Sequence, residues 1–286
     1  MIGVLAHTEK AGARNALKVL VRELRRAGIC FGLERATAAL LGRTGGMPER
    51  ELIRSSELLV VLGGDGTLLR LARRLGRNPP PLFGINAGSL GFLTCAGAEE
   101  IPHAVACLRE KKYILSARNT LRVTLTRPHA KPMEVFALND AVLGRGQHSE
   151  LIHVEVSIDG TLLAEYNADG LIVATSTGST AYSLAAGGPI LTPDSGAFVI
   201  TPICPHVLTN RSLVVSDRSV ITARNSRVGK EVFLTVDGQK SVAIQDKDIL
   251  TLAKGDRELL LAMLPGRQFP AILRHKLKWM EGNIPL

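Results

Sequence analysis

Residues 58–67 read LLVVLGGDGT, and this stretch constrains the chain more than any other. Leu58, Leu59, Val60, Val61 and Leu62 form a short apolar run. That is the pattern of a strand buried on both faces in a parallel sheet. Gly63, Gly64 and Gly66 follow at once. Glycines permit positive φ and bring backbone N–H groups close to whatever lies above the turn. Thr67 is placed to N-cap a helix, LLRLARRLG, with Leu68, Leu71, Ala72 and Leu75 on one face. Strand, glycine turn and helix N-terminus together make a phosphate cradle. Asp65 is the exception within it. A carboxylate repels phosphate unless it binds a metal or takes a proton from a nucleophile, which points to phosphoryl transfer with Mg²⁺. The competing reading is a tight turn whose Asp serves only nearby backbone N–H groups.

The 286 residues, 45% of them hydrophobic, suffice for two domains with their own cores. A net charge of +9 suits polyanionic ligands, nucleotides as well as nucleic acids. Aromatic residues make up only 4% and do not interleave with basic ones, which argues against a single-strand stacking platform. Cys30, Cys95, Cys107 and Cys204 are far apart and form no CxxC pair, so neither zinc nor a disulfide framework is expected. The seven histidines, His7, His103, His129, His148, His153, His206 and His275, show no metal spacing. No apolar run approaches the ~18 residues that span a membrane. The chain opens on a strand-like MIGVLA without a signal peptide. The expectation is a cytoplasmic protein.

Strands alternate with helices through the first third of the chain. Ile2 to Ala6 reads as a strand, residues 14–27 as an amphipathic helix, and 82–86 (LFGIN) as a further strand. Residues 28–57, with Gly42, Gly45, Gly46 and Pro48, read as a loop before a short helix. AGSLGFLT (87–94) is a second glycine-rich loop at a strand's carboxyl end, where ligands bind in open α/β sheets. Phe92 there either contacts a ligand or plugs the loop into the core. Residues 99–112 read as a helix. Beyond residue 113 apolar and polar residues alternate, as in Leu121, Val123, Leu125 and in Ile152, Val154, Val156, Ile158. Asp159-Gly160 and Asp237-Gly238 offer hairpin turns. This is antiparallel sheet in two layers. The division expected is 1–115 for an α/β domain, 116–265 for a β-sandwich domain, and 266–286 for a tail, with 271–280 helical and able to close back on the first domain.

Residues 169–190 read DGLIVATSTGSTAYSLAAGGPI. The hydroxyls and N–H groups of such a turn bind sugar hydroxyls and polar base edges, and Tyr182 offers a flat ring with a polar tip. Ser and Thr also simply cap helices. The exact string decides. GGDGT at 63–67, INAGSLGFLT at 85–94, ALND at 137–140 and TGSTAYSLAAGGP resemble the NAD kinase (ATP-NAD kinase) family, in the same order. GGDGT alone is shared with 6-phosphofructokinases and with diacylglycerol and sphingosine kinases; the TGSTAYSLAAGGP segment is more specific. The resemblance covers the chain from the first strand to about Pro265.

The resemblance implies an α/β N-terminal domain with a Rossmann-like, phosphofructokinase-like parallel sheet and an all-β C-terminal sandwich, with the active site between them. It implies transfer of the γ-phosphoryl group of ATP, or of polyphosphate, to the 2′-hydroxyl of the adenosine ribose of NAD. A divalent cation, Mg²⁺, and a homodimer or homotetramer are implied too; neither nucleic acid nor a membrane is an expected partner. By matched position, Asp65 is similar to the catalytic aspartate, and Gly63, Gly64, Gly66 and Thr67 to the donor-phosphate turn. Gly66, Arg70, Phe92, Asn139, Asp140, Asp169, Thr180, Ala181, Tyr182, Ser183 and Gln239 fall, with Asp65, at NAD-binding positions. Arg70 on a solvated helix face and Gln239 as turn chemistry are the alternatives. No residue is singled out as a metal ligand.

The chain departs from the family pattern at Cys95, where an acid is frequent, and at Ala168, where Gly or Ser is usual. Ser176 replaces a common Pro, and Asp140 a usual Glu. No basic residue follows Asn86 in INAGSLG, where some relatives carry Arg, so the counter-charge for the transferring phosphate must come from a metal or from another Arg or Lys. Two other functions remain in view. A lipid or sugar kinase sharing GGDGT would show an apolar entrance or a basic amphipathic helix. A non-catalytic binder of dinucleotide or nucleic acid would account for the charge but not for Asp65.

Overall fold

The computed structural model describes residues 1–88, 91–146, 150–207, 209–227, 229, 231–239 and 241–279. Ser89 and Leu90 of the second glycine-rich loop, His148, and Met280 at the end of the expected C-terminal helix lie outside the described residues. The chain forms two units, Met1–Ala117 with Leu259–Leu286, and Arg118–Glu258.

The first unit is α/β. Its elements are β1 (Ile2–Ala6), α1 (Ala13–Arg26), β2 (Phe31–Leu33), α2 (Arg35–Ala39), α3 (Glu49–Ser55), β3 (Leu58–Leu62), α4 (Asp65–Arg74), β4 (Leu82–Asn86), β5 (Ala96–Gly97) and α5 (Ile101–Arg109). The strands pair in parallel in the order β4-β3-β1-β2, with β5 beside β4. Every residue of β3 and β4 is buried, as a parallel strand covered on both faces requires. On α1, Leu17, Leu20, Val21 and Leu24 are buried at i, i+3, i+4 and i+7. Residues 28–57 are more regular than their sequence indicates: β2 is a three-residue edge strand, and two short helices, α2 and α3, follow it.

The second unit is antiparallel. It contains most of β6 (Ile114–Thr126), then β7 (Met133–Ala137), β8 (Asp140–Arg145), β9 (Ile152–Ile158), β10 (Thr161–Ala168), β11 (Gly170–Thr175), α6 (Tyr182–Ala185), β12 (Ala197–Ile203), β13 (Leu213–Ser216), β14 (Ile221–Asn225), β15 (Val232–Val236), β16 (Ser241–Ile244) and most of β17 (Ile249–Met263). One sheet runs β13-β12-β11-β8-β15-β16. In the other, β10, β9, β14 and β17 follow one another, and β6 pairs with β17 and β7. The inward residues of both sheets form one core, among them Leu121, Val123, Val154, Val156, Leu171, Val173, Phe198, Ile200, Leu234 and Leu252. This is the two-layer sandwich that the alternation predicts. Asp159 (φ 50°) and Gly160 (φ 79°) are both left-handed, the conformation that joins β9 to β10 without splaying them.

The end of β17 returns to the first unit, where Leu261 pairs in parallel with Leu82. It leads into α7 (Phe269–Leu277), whose Ile272 and Leu273 are buried.

Candidate active site

The glycine turn differs in detail from its sequence-based reading. Gly64, not Thr67, is the N-cap of α4, and Asp65 occupies the first helical position. None of Gly63, Gly64 and Gly66 has positive φ. Gly63 is required for space instead: a Cβ there would collide with the Thr67 side chain. Gly66 is exposed, with nothing near the position of a Cβ. Arg70 is exposed one turn further on.

Asp65 is fixed by the second glycine-rich loop. Its Oδ2 accepts the Phe92 N–H at 2.8 Å and its Oδ1 the Leu93 N–H at 3.2 Å. A Cβ on Gly91 would overlap the carboxylate, so only glycine lets the loop come this close. Asp65 therefore does serve backbone N–H groups, but that role does not exhaust it. A carboxylate has about four lone-pair sites, and two remain for a hydroxyl. Its place in the first turn of α4 also suits the helix dipole. Phe92 is half-buried, with its ring centroid 6.4 Å from that of Phe269 in α7. The Lys10 Nζ donates to Asn86 Oδ1 at 2.5 Å. Cys95, in the place of a frequent acid, is buried; burial pushes its thiol up to about 12, so it stays protonated and inert.

In the second unit the ends of β8, β11 and β15 meet. The Asn139 carbonyl accepts the Thr175 N–H at 2.8 Å. The Thr175 hydroxyl donates to the Leu138 carbonyl at 2.6 Å and accepts the Gly178 N–H at 3.0 Å. A Cβ on Gly178 would strike the Asn139 backbone. The hydroxyls that the sequence offers to a ligand are largely spent inside the fold. Ser176 bonds Ser195 and the Ala197 carbonyl, Ser179 bonds the Ser176 carbonyl, and Ser183 is fully buried against Thr201 at 2.9 Å. Thr180 and Ala181 are half-buried, and Tyr182 is 48% exposed. Gln239 follows the Asp237-Gly238 turn, its N–H on the Val236 carbonyl at 3.1 Å.

Asp169 stands apart from this group. It precedes β11, whereas the TGST turn follows it, roughly 20 Å away at about 3.3 Å per strand residue. Its carboxylate pairs with Arg145 at 3.0 Å.

Asp237 has a role that its sequence, which offers it only as half of a hairpin turn, does not announce. Its Oδ2 accepts the Leu138 N–H at 2.9 Å, and its Oδ1 those of Asn139 at 2.8 Å and Asp140 at 3.2 Å. It thus shapes the backbone that presents Asn139 and Asp140. Asp140 itself is buried, and burial together with the charge of Asp237 raises its carboxyl from the usual 3.8 to about 7. The folded state keeps this proton up to about pH 7, whereas the unfolded chain releases it near 3.8. The stabilisation linked to the proton is complete below 3.8 and lost as pH rises through 7. Asp140→Asn cannot ionise. Its melting temperature relative to wild type therefore rises between pH 5 and pH 8, and a constant difference across that range would refute the buried, proton-holding carboxyl.

Comparison with known proteins completes the picture. The ATP-NAD kinase N-terminal domain matches residues 6–113 and the ATP-NAD kinase C-terminal domain residues 138–264. The NAD kinase of Solibacter usitatus is 41% identical over 280 residues, covering 98% of this chain and 97% of its own. That of Moorella thermoacetica is 40% identical over 283 residues, covering 99% and 90%. Among solved structures, yeast NADH kinase complexed with NADH superposes with a TM-score of 0.86 at 26% identity, covering all of this chain and 89% of that one. An NAD kinase from Archaeoglobus fulgidus in complex with ATP gives 0.76 at 27% identity, covering 96% and 99%.

A fixed carboxylate in a glycine turn at the carboxyl end of a parallel sheet, with a β-sandwich following it in the chain, defines a nucleotide-dependent phosphotransferase. More particularly, the chain belongs to the ATP-NAD kinase family, whose two domain models match its two halves.

Proposed function

We propose that this protein transfers the γ-phosphoryl group of ATP to the 2′-hydroxyl of the adenosine ribose of NAD, giving NADP and ADP. The observation that carries this reading is Asp65, held by the Phe92 and Leu93 N–H groups with lone pairs to spare. Asp65 accepts the 2′-hydroxyl proton or orients it. A carboxylate is a weak base for an alcohol, so fixing the nucleophile in line counts as much as proton transfer. Phosphoryl transfer asks for little covalent help from the protein and much positioning and charge.

In the first unit, Gly63, Gly64, Gly66 and Thr67 form the donor-phosphate turn, and Gly66, Arg70 and Phe92 join Asp65 in holding NAD. In the second, Asn139 and Asp140 take polar edges of the dinucleotide. Tyr182, beside Thr180 and Ala181, offers its exposed ring to the adenine. Ser183 contributes by shaping that turn, since its hydroxyl is taken by Thr201. Gln239 and Asp169 complete the set, Asp169 as the acid before β11.

The residues present fit a divalent cation that arrives on the nucleotide. Among the described residues no group of three or more His, Cys, Asp and Glu side chains is placed to hold a metal. Mg²⁺ commonly binds through substrate phosphates, water and one or two carboxylates, and Asp65 is the carboxylate at this turn. Bound there, the cation would offset charge on the donor phosphates. The same reading includes a homodimer or homotetramer and a cytoplasmic setting. The four cysteines are free, and among the described residues no helix is long and apolar enough to cross a membrane.

The test is turnover of NAD with ATP and Mg²⁺, beside diacylglycerol and fructose 6-phosphate as rival acceptors. NAD is phosphorylated in preference to both, and excess EDTA abolishes turnover, which Mg²⁺ restores. Preference for either rival acceptor overturns the assignment of substrate; full activity in EDTA overturns the cation.

A further inference from the structure

We propose that Lys10 is the cation that receives the phosphate chain of the donor nucleotide; this rests on the phosphotransferase reading above and adds a binding residue to the same turn. Lys10 lies in the connection between β1 and α1. That connection is folded back on itself: the Lys10 N–H reaches the His7 carbonyl at 3.4 Å, and the Lys10 carbonyl accepts the Ala13 N–H at 3.1 Å. The side chain crosses the ends of the neighbouring strands. Its Nζ donates to Asn86 Oδ1 at 2.5 Å, at the end of β4, and the same oxygen accepts the Gly88 N–H at 3.1 Å. The Nζ stands 3.4 Å from the position of a Cβ on Gly64 and 3.9 Å from that on Gly88. The ammonium therefore lies in van der Waals reach of both glycines, against the turn that carries Asp65.

Three further points make this a ligand-facing charge. The carboxyl ends of β1, β3 and β4 are adjacent in one parallel sheet, the place where such sheets bind ligands. Among the described residues Lys10 makes no ion pair, so its charge is not consumed by a carboxylate, not even that of neighbouring Asp65. Asn86 takes one of three ammonium N–H donors, which leaves two. The phosphoryl group must pass this turn to reach a hydroxyl on Asp65, and it is negative throughout. The loop after Asn86 brings no lysine or arginine of its own. Lys10, contributed by a distant part of the chain, supplies the missing counter-charge.

The test is binding and turnover of Lys10→Met and Lys10→Arg, which keep the length of the stem. Mg²⁺-ATP is titrated calorimetrically without NAD, so the result does not depend on turnover, and NAD is titrated separately. Charge-assisted hydrogen bonds of this kind support a loss of about 10- to 100-fold. Lys10→Met weakens ATP binding and raises KM for ATP by that factor, leaves NAD affinity and the melting temperature near wild type, and Lys10→Arg recovers most of the loss. ATP affinity unchanged in Lys10→Met overturns the proposal, as does a loss confined to NAD. Should Lys10→Met fold poorly, Asn86→Ala, which frees the ammonium from its tether, must then shift ATP affinity, and no shift overturns it. If wild type makes no NADP yet Lys10→Met still loses ATP, the acceptor assignment fails and the Lys10 site stands.

Discussion

Asp65→Asn yields a folded protein that still binds NAD and forms NADP about 10²- to 10⁴-fold more slowly, the range that a positioned acid–base group contributes. The amide keeps the size of the carboxylate. It loses the charge that attracts the hydroxyl proton, and it can turn its oxygen toward only one of the Phe92 and Leu93 N–H groups. The other N–H then faces an NH₂ group, a mismatch of about 1–3 kcal/mol that lowers the melting temperature without unfolding the unit. Initial rates read by an NADP-specific dehydrogenase, with calorimetric titration of NAD, separate the two effects. A variant that keeps more than half the wild-type rate removes Asp65 from the chemistry.

Asp237→Ala has the largest expected effect on stability. Three N–H groups, those of Leu138, Asn139 and Asp140, lose their acceptor together. Leu138 and Asp140 are buried, so water does not readily replace it. At about 1–3 kcal/mol for each of these two buried donors, the variant loses at least ~2 kcal/mol. Urea unfolding detects this as a lower midpoint at unchanged slope. The variant also weakens NAD binding, because the backbone carrying Asn139 and Asp140 is no longer held. A loss below ~1 kcal/mol would show that the carboxylate does not organise this turn.

These two residues also show what a linear reading reaches. Asp65 was legible because its neighbours state the local structure: five apolar residues make a buried strand, and glycines end it. The helix starts three residues earlier than the sequence indicates, because Gly64 takes the cap and Asp65 enters the first turn. The sandwich was legible from alternation in β6 and β9. The edge strand β2 was not, since three residues carry no period. What was illegible at the site is contact across sequence. Phe92 and Leu93 reach Asp65 over 27 and 28 positions, Lys10 reaches Asn86 over 76, and Asp237 reaches Leu138 over 99. No motif announces such pairs. The hydroxyls of 176–183 misled in the opposite sense: rich in donors by composition, several are consumed by their own loop.

The most direct measurement is the identity of the product. Wild-type protein is incubated with NAD, ATP and Mg²⁺, and the dinucleotide is examined by ³¹P NMR. The account predicts one new phosphomonoester signal, on the 2′ position of the adenosine ribose, with equal ADP released. Phosphate at another hydroxyl, or NAD recovered unchanged with ATP or polyphosphate as donor although both ligands bind, would contradict it.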